Sequence, residues 1–210
     1  MQRAERPRFA VWEIGAVVAA LAILLLIMIN RYGPHRDELY FVSAGRRLAW
    51  GYPDQPIFAP LIARLATELA PQNLLVLRLP SLLAMALLVV CAAAFARLLD
   101  GGRAAQLLTA STVAASVVVM AVGHRLSTAT FDTLAWTAVL LVVGYALRDD
   151  RPRLWLLAGV LAGLGLNNKT AVVVLLFALL LGVLLVPGCR GQLRTPYPWL
   201  GGLIAALLWL

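Results

Sequence analysis

The most reactive pair of side chains in this sequence is Asp37 and Glu38, two adjacent carboxylates within the stretch 35–40. Pro34 comes just before them and breaks any preceding helix, so the pair falls in the first turn of a new helix. One interpretation is local, because free backbone N–H groups and the helix dipole favour acids in a first turn. The other is a carboxylate at a membrane surface that acts as a general base or a metal ligand.

Two further acids, Asp54 and Asp132, stand where a carboxylate could do chemistry. Asp54 lies in the turn-rich stretch 51–56, where it could cap the following helix, bind a ligand, or do both. Asp132 lies just inside an apolar run, a depth at which acids commonly mark function, although a helix-terminal acid is the alternative. His124 by itself is a weak ligand candidate, since a histidine at a helix end more often makes surface hydrogen bonds.

Two cations, Arg78 and Lys169, lie near the ends of apolar runs. Snorkelling of long cationic side chains to lipid head groups explains such positions by default. A site that handles a lipid phosphate also needs cations at that height, and these two residues are candidates for that contact.

The composition indicates which elements must position these side chains. Of 210 residues, 62% are apolar and 13% are charged, and the mean hydropathy is +0.87. Soluble domains have about half apolar and a quarter charged residues. The values exclude a disordered chain, a disulfide-rich secreted domain and an ordinary soluble enzyme. They predict an all-α fold, a polytopic transmembrane helical bundle.

Apolar runs long enough to approach a bilayer span recur along the chain. The predicted spans cover residues 11–30, 76–97, 104–122, 131–147, 154–167, 170–187 and 198–210, with a long loop over 31–75. The last run is too short for a hydrocarbon core of about 30 Å. We therefore expect residues 1–210 to be the N-terminal part of a longer transmembrane domain.

The long first loop is predicted to contain interfacial amphipathic helices. After Pro56, apolar residues recur every four positions, and Arg64 and Glu68 form an i,i+4 pair on another face. That pattern is typical of a helix lying on a membrane. The repeating apolar residues are Ile57, Leu61, Leu65 and Leu69.

Charge placement predicts the orientation. Short connections around 97–103, 148–153 and 190–194 are rich in arginine, which places them and the N-terminus in the cytoplasm. The loop 31–75 then faces outward, and we expect a multi-pass protein of the bacterial plasma membrane. The net charge of +8 is spread over helix ends rather than in a stripe with exposed aromatics, so no nucleic-acid partner is expected.

The stretches 36–41, 51–56 and 131–133, in this order and at these topological places, resemble membrane glycosyltransferases of the GT-C superfamily. More narrowly, these stretches resemble the bacterial branch related to dolichyl-phosphate-mannose protein mannosyltransferases and to the aminoarabinose transferase of lipid A. The resemblance covers essentially the whole chain, which corresponds to the N-terminal part of those longer enzymes.

The resemblance implies a sugar donor carried on a polyprenyl phosphate, an extracytoplasmic acceptor and inverting displacement at the anomeric carbon. It implies Asp37 as the general base, with Glu38 as a second candidate, and Asp132 as a further catalytic acid. Some relatives place an acid of this loop near a divalent metal, which makes Asp54 a metal-ligand candidate, although Gln55 replaces their lysine. No nucleotide cofactor is expected. The substrate-binding candidates are Lys169, Arg78, Tyr40, Gln55 and His124.

Two alternatives stay open. A polytopic transporter or flippase of lipid or sugar would place polar residues along a path through the span centres, which are nearly free of charge in this sequence. An inactive truncated membrane subunit is the other, because residues 1–210 alone could lack the acceptor or lipid pocket.

Overall fold

The computed structural model describes residues 6–210, and within them the chain is helical, with one isolated antiparallel bridge between Gly51 and Pro56. The elements are α1 (Val11–Met28), α2 (Arg36–Gly45), α3 (Phe58–Leu69), α4 (Leu74–Leu98), α5 (Arg103–Ala114), α6 (Val117–Val122), α7 (Thr128–Arg148), α8 (Leu154–Leu166), α9 (Val172–Leu185), a 3-10 helix (Pro187–Arg194) and α10 (Tyr197–Trp209). The predicted all-α fold is confirmed.

Three of these helices, α1, α4 and α7, are long and apolar enough to cross a membrane, with 18, 25 and 21 residues. Helix α9 and the following 3-10 helix qualify together but are bent by 110°, and α8 and α10 are shorter apolar helices. The range 104–122, predicted as one span, is divided into α5 and α6, because Ser116 Oγ accepts the backbone N–H of Val119 at 3.3 Å and starts a new helix. Over residues 6–210 the helices are those of a membrane bundle.

The chain forms two compact units, and α3 runs from the second into the first. The first unit comprises Met1–Arg47 and Pro60–Thr130, and the second comprises Leu48–Ala59 and Phe131–Leu210.

In the first unit, α1 packs against α4 and α5. The buried side chain of Gln106 fixes the start of α1, since its Oε1 accepts the backbone N–H of Ala10 at 3.0 Å and its Nε2 donates to the carbonyl of Arg8 at 3.1 Å. An ion pair between Glu13 and Arg103 joins the same two helices. These polar contacts set the register of α1 on α5.

The predicted loop over 31–75 contains α2 and α3. Three alanines of α3, Ala59, Ala63 and Ala66, are buried, while Leu65 and Leu69 are exposed. Of the predicted apolar stripe, Leu65 and Leu69 are exposed, whereas Ile57 and Leu61 are half-buried. The placement of α3 on a membrane surface stays a prediction. At 2.7 Å between Arg64 Nε and Glu68 Oε1, the predicted i,i+4 ion pair is present.

In the second unit, α8 and α10 approach so closely that only glycine fits between them. A Cβ atom on Gly159 would lie 2.2 Å from the carbonyl oxygen of Gly201, and one on Gly201 would lie 2.3 Å from that of Trp155. Small residues permit such contacts between membrane helices, which associate by van der Waals packing. The buried core beside this contact is Val139, Val143, Ala158, Ala162, Leu166, Val172, Leu175 and Ala205.

Candidate functional site

The N-terminus of α2 carries the Asp37 and Glu38 pair and is closed by a capping box. His35 Nδ1 accepts the backbone N–H of Asp37 at 3.2 Å, and Glu38 Oε2 accepts the backbone N–H of His35 at 2.7 Å. The two orphan N–H groups are thus satisfied by side chains. Glu38 is therefore a first-turn acid that caps α2, as the local interpretation predicts.

Glu38 also forms a buried ion pair with Arg78, which lies 40 residues further along the chain in the first turns of α4. Arg78 Nε donates to Glu38 Oε1 at 2.8 Å, and Arg78 Nη2 donates to Glu38 Oε2 at 2.7 Å. Both side chains are fully inaccessible. This two-point geometry is the strongest form of a carboxylate–guanidinium contact.

The guanidinium of Arg78 also holds the segment that follows α1. It donates to the carbonyls of Ile29 and Gly33, the latter at 2.9 Å, and it lies 4.4 Å from the centre of the Tyr32 ring. Arg78 therefore joins the end of α1, the start of α2 and the start of α4. Every nitrogen of its charged group has a protein partner, and these contacts are the structural alternative to the lipid-phosphate contact predicted for Arg78.

The connection between α6 and α7 completes this cluster. The backbone N–H of Leu126 donates to Glu38 Oε1 at 3.0 Å, and Arg125 Nη1 lies 2.9 Å from His35 Nε2. The ring of His124 meets the ring of Tyr32 edge to face at 5.4 Å. We define the capping cluster as His35, Glu38, Arg78, His124, Arg125 and Leu126.

Asp37 stands beside the capping cluster but is not enclosed by it. Its side chain is 41% exposed, and its carboxylate lies 3.4 Å from Arg36 Nε and 3.7 Å from His35 Nδ1. Two successive helix residues point about 100° apart, so the inward direction of Glu38 leaves Asp37 facing outward. Asp37 is the solvent-accessible member of the acid pair.

Burial and the surrounding contacts shift the pKa values of two residues of the capping cluster, Glu38 and His124. Burial alone would raise the pKa of Glu38, but hydrogen bonds from Arg78 and from the backbone N–H groups of His35 and Leu126 hold the pKa of that carboxyl below its usual value. Burial lowers the pKa of His124, and the nearby Arg125 and Arg78 cations act in the same direction. Glu38 is thus ionised and His124 neutral at neutral pH.

In the second unit, the structure brings together two predicted site residues, Asp132 and Lys169. Lys169 Nζ lies 4.0 Å from Asp132 Oδ2, and Trp136 Nε1 donates to Asp132 Oδ1 at 3.1 Å. The Lys169 side chain is 49% exposed and that of Asp132 18%. Asp132 lies near the start of α7 and Lys169 follows the end of α8, so both lie at the same end of these two helices.

Asp54 and Gln55 lie on the tight turn closed by the bridge between Gly51 and Pro56. Asp54 is exposed, whereas Gln55 Nε2 is buried and has no hydrogen-bond partner in the described part of the chain. Within residues 6–210 no three acidic, histidine or cysteine side chains come together to hold a metal ion. The metal-ligand role of Asp54 stays a prediction.

Tyr40 lies on the exposed side of α2, with its ring 5.8 Å from that of Phe41. The sequence did not single out His35, Tyr32 or Arg125 as members of a site. The signal for Arg125 is its place beside His124 at a break between two apolar segments, since charged residues rarely adjoin in such a position without partners.

The helical fold, its candidate spans and the polar cluster at the helix ends define a multi-pass membrane protein with polar groups gathered outside its span centres. A family model described as dolichyl-phosphate-mannose-protein mannosyltransferase matches residues 54–210, more than half of the chain. The chain belongs to this family and is a membrane glycosyltransferase of the GT-C type. No curated protein and no solved structure matches it.

The family match covers some of the candidate site residues and not others. Asp37, Glu38 and Tyr40 precede the matched range, and the matched range contains Asp54, Gln55, Arg78, His124, Asp132 and Lys169. Because Arg78 pairs with Glu38, the matched range is joined by a buried ion pair to the segment that precedes it.

Proposed function

We propose that this glycosyltransferase takes its sugar from a polyprenyl phosphate and transfers it to a hydroxyl of an extracytoplasmic protein, lipid or glycan acceptor, with inversion. The acceptor oxygen forms a bond to the anomeric carbon as the bond from that carbon to the phosphate oxygen breaks. The electron pair of the broken bond leaves with the polyprenyl phosphate, and the acceptor proton passes to a carboxylate. The family supports glycosyl transfer, and the donor and acceptor classes are the proposal.

The carboxylate proposed as the general base is Asp37. The observation that supports this role is the contrast between neighbours, since Asp37 is half-exposed while Glu38 is enclosed by four hydrogen bonds from Arg78, His35 and Leu126. A base must reach the acceptor proton, which Asp37 can do. Glu38 and Arg78 are proposed to be positioning residues, because their charged atoms contact each other and not a substrate.

Lys169 is proposed to offset the phosphate charge that grows on the leaving group, since its ammonium is half-exposed and lies at the limit of contact with Asp132. Asp132 is proposed to orient that ammonium. Gln55, Tyr40 and His124 remain candidates for substrate contact. We propose a bacterial plasma-membrane location with a cytoplasmic N-terminus, in which the end of α2 that carries Asp37 faces outward.

The test is sugar transfer by the full chain in membrane vesicles supplied with radiolabelled polyprenyl-phosphate mannose. Asp37→Asn should reduce label transfer by about 100-fold or more, the usual contribution of a general base. The matched control is Glu68→Gln, which removes an exposed acid of α3 and should leave transfer unchanged. Wild-type turnover by Asp37→Asn would remove the proposed base. Movement of labelled sugar across the membrane without a new glycosidic bond would favour the transporter.

A further inference from the structure

The second unit contains an apolar cavity of about 340 Å³ between α7, α8, α9 and α10. Its walls include Val143, Trp155, Gly159, Leu179, Trp199 and Gly202. These residues come from the second halves of α7 and α9 and the first halves of α8 and α10. The cavity therefore lies at the end of the unit opposite to Asp132 and Lys169, and it plays no part in the proposed chemistry.

The cavity opens onto a surface that suits lipid. Among the residues that line it, Leu180 is 41% exposed and Trp199 is 60% exposed, which places its mouth between α9 and α10. On the same two helices, Leu184, Leu203 and Leu207 are also exposed. An exposed leucine surface on membrane helices faces acyl chains, so an acyl chain can enter from the side.

Two tryptophans mark the depth of this end in the bilayer. Trp155 Nε1 donates to Gln192 Oε1 at 3.2 Å, and Trp199 Nε1 donates to the carbonyl of Leu193 at 2.9 Å. Gln192 in turn donates to Asp150 Oδ1 at 2.7 Å. Tryptophans with an apolar body and a hydrogen-bonded N–H are typical of the membrane–water interface. Because Trp155 and Trp199 also line the cavity, this end of the cavity lies at that level.

The connections at this end are strongly basic. The turn between α7 and α8 and the 3-10 helix together carry four arginines and two aspartates, a net charge of +2. Arg151, Arg153, Arg190 and Arg194 are all exposed. Arg190 Nε donates to the carbonyl of Leu184 at 2.7 Å, which keeps this guanidinium at the end of α9, beside the mouth.

We propose that this cavity binds one acyl chain of an anionic phospholipid whose head group contacts Arg190 and Arg194. The apolar walls, the interfacial tryptophans and the excess of arginine each match one part of such a molecule. A bound chain fills the space between α9 and α10 against α8, and so stabilises the second unit. The proposal is independent of the sugar donor and of the identity of the catalytic base.

The test is native mass spectrometry of the full chain released from micelles that contain phosphatidylglycerol and phosphatidylcholine in equal amounts. A basic residue near a membrane surface contributes about 1 kcal/mol toward an anionic lipid, which corresponds to roughly five-fold. We expect wild type to retain phosphatidylglycerol at least about five-fold over phosphatidylcholine. The double variant Arg190→Gln/Arg194→Gln should lose this preference.

A second variant tests the cavity. A Cβ on Gly202 meets nothing within 4 Å, so Gly202→Leu places its side chain in the cavity without a backbone clash and should abolish retention of both lipids. Gly182→Leu is the matched control, because Gly182 on α9 is equally open but does not line the cavity. Arg8→Gln/Arg31→Gln is the charge control, since both arginines are exposed in the first unit.

Three results would overturn the proposal. The first is equal retention of both lipids by wild type, and the second is unchanged retention by Gly202→Leu. The third is displacement of phosphatidylglycerol by an equal amount of polyprenyl phosphate, or the appearance of a second copy of the chain in its place. If Gly202→Leu does not fold, the arginine double variant, with its side chains outside the cavity, decides the head-group contact on its own.

Discussion

The carboxylate of Glu38 and the guanidinium of Arg78 form a two-point ion pair from which solvent is fully excluded. Arg78 also holds the carbonyls that follow α1, and Glu38 accepts the N–H of Leu126 from the connection before α7. One pair of residues thus fixes four segments of the first unit. Because Asp37 is adjacent to Glu38 in the first turn of α2, the ion pair also fixes the position of the exposed Asp37.

The first prediction concerns the stability of this unit. Arg78→Met leaves the Glu38 carboxylate buried without its charged partner and should lower the free energy of unfolding by about 3–5 kcal/mol. Arg78→Lys should recover only part of the loss, because an ammonium cannot make the two parallel bonds. Thermal unfolding in detergent measures both. The double variant Glu38→Gln/Arg78→Met should be more stable than Arg78→Met, and equal stability of all three with wild type would contradict the prediction.

The second prediction is that acid destabilises the first unit in two steps. The lowered pKa of Glu38 means that the unfolded chain binds its proton more readily, so the stabilisation is complete above the ordinary value of 4.5 and is lost as pH falls through the lowered pKa. The lowered pKa of His124 has the same sign, and its loss begins as pH falls below 6.5. Unfolding midpoints measured from neutral pH to well below the ordinary Glu38 value of 4.5 check both steps.

A variant of His124 is the control for the step that begins as pH falls below 6.5. His124→Gln keeps a polar side chain but cannot titrate, so it should remove the decrease that begins near 6.5 and leave the more acidic step. An identical pH profile for His124→Gln and wild type would show that another group is responsible.

The third prediction concerns the contact between α8 and α10. The methyl carbon that Gly159→Ala adds would lie 2.2 Å from the carbonyl oxygen of Gly201. Helices α8 and α10 must therefore separate. We expect a loss of about 1–3 kcal/mol, the usual cost of overpacking. Gly182→Ala is the matched control, because a Cβ there meets nothing within 4 Å and alanine favours a helix. Equal thermal stability of the two variants would argue against the close contact.

The fourth prediction separates the roles of Asp132 and Lys169. Lys169→Gln removes the cation proposed for the donor phosphate and should lower kcat/KM for transfer by about 10-fold or more, the order expected for loss of one charged contact. Asp132→Asn should reduce transfer less, and Trp136→Phe least, since Trp136 only donates one hydrogen bond to Asp132. Steady-state transfer kinetics give the ranking. Full activity in Lys169→Gln would exclude it as a phosphate contact.

Much of the fold could be predicted from the sequence, because bilayer spans are read from uninterrupted apolar runs and their backbone bonds are satisfied within each helix. The start of α2 after Pro34 and the α3 helix with its Arg64–Glu68 pair follow from equally local rules. The break in the predicted span 104–122 at Ser116 could not be predicted, because a single serine within an apolar run does not by itself indicate that a new helix starts there.

The candidate site was only partly predictable. The acid pair, Arg78, Asp132 and Lys169 were chosen by residue type and height, and the structure places Arg78 on Glu38 and Lys169 beside Asp132. Contacts between residues 40 apart depend on how helices pack, which no local pattern specifies. His35 and Arg125 joined the cluster for the same reason.

By itself, the sequence determined an apolar helical chain with carboxylates and cations gathered at helix ends, because composition and periodicity act locally. Only the tertiary structure distinguished the surroundings of Asp37 from those of Glu38. Their side chains project in different directions from one helix, and the packing of α4 and of the α6–α7 connection turned Glu38 inward and left Asp37 accessible.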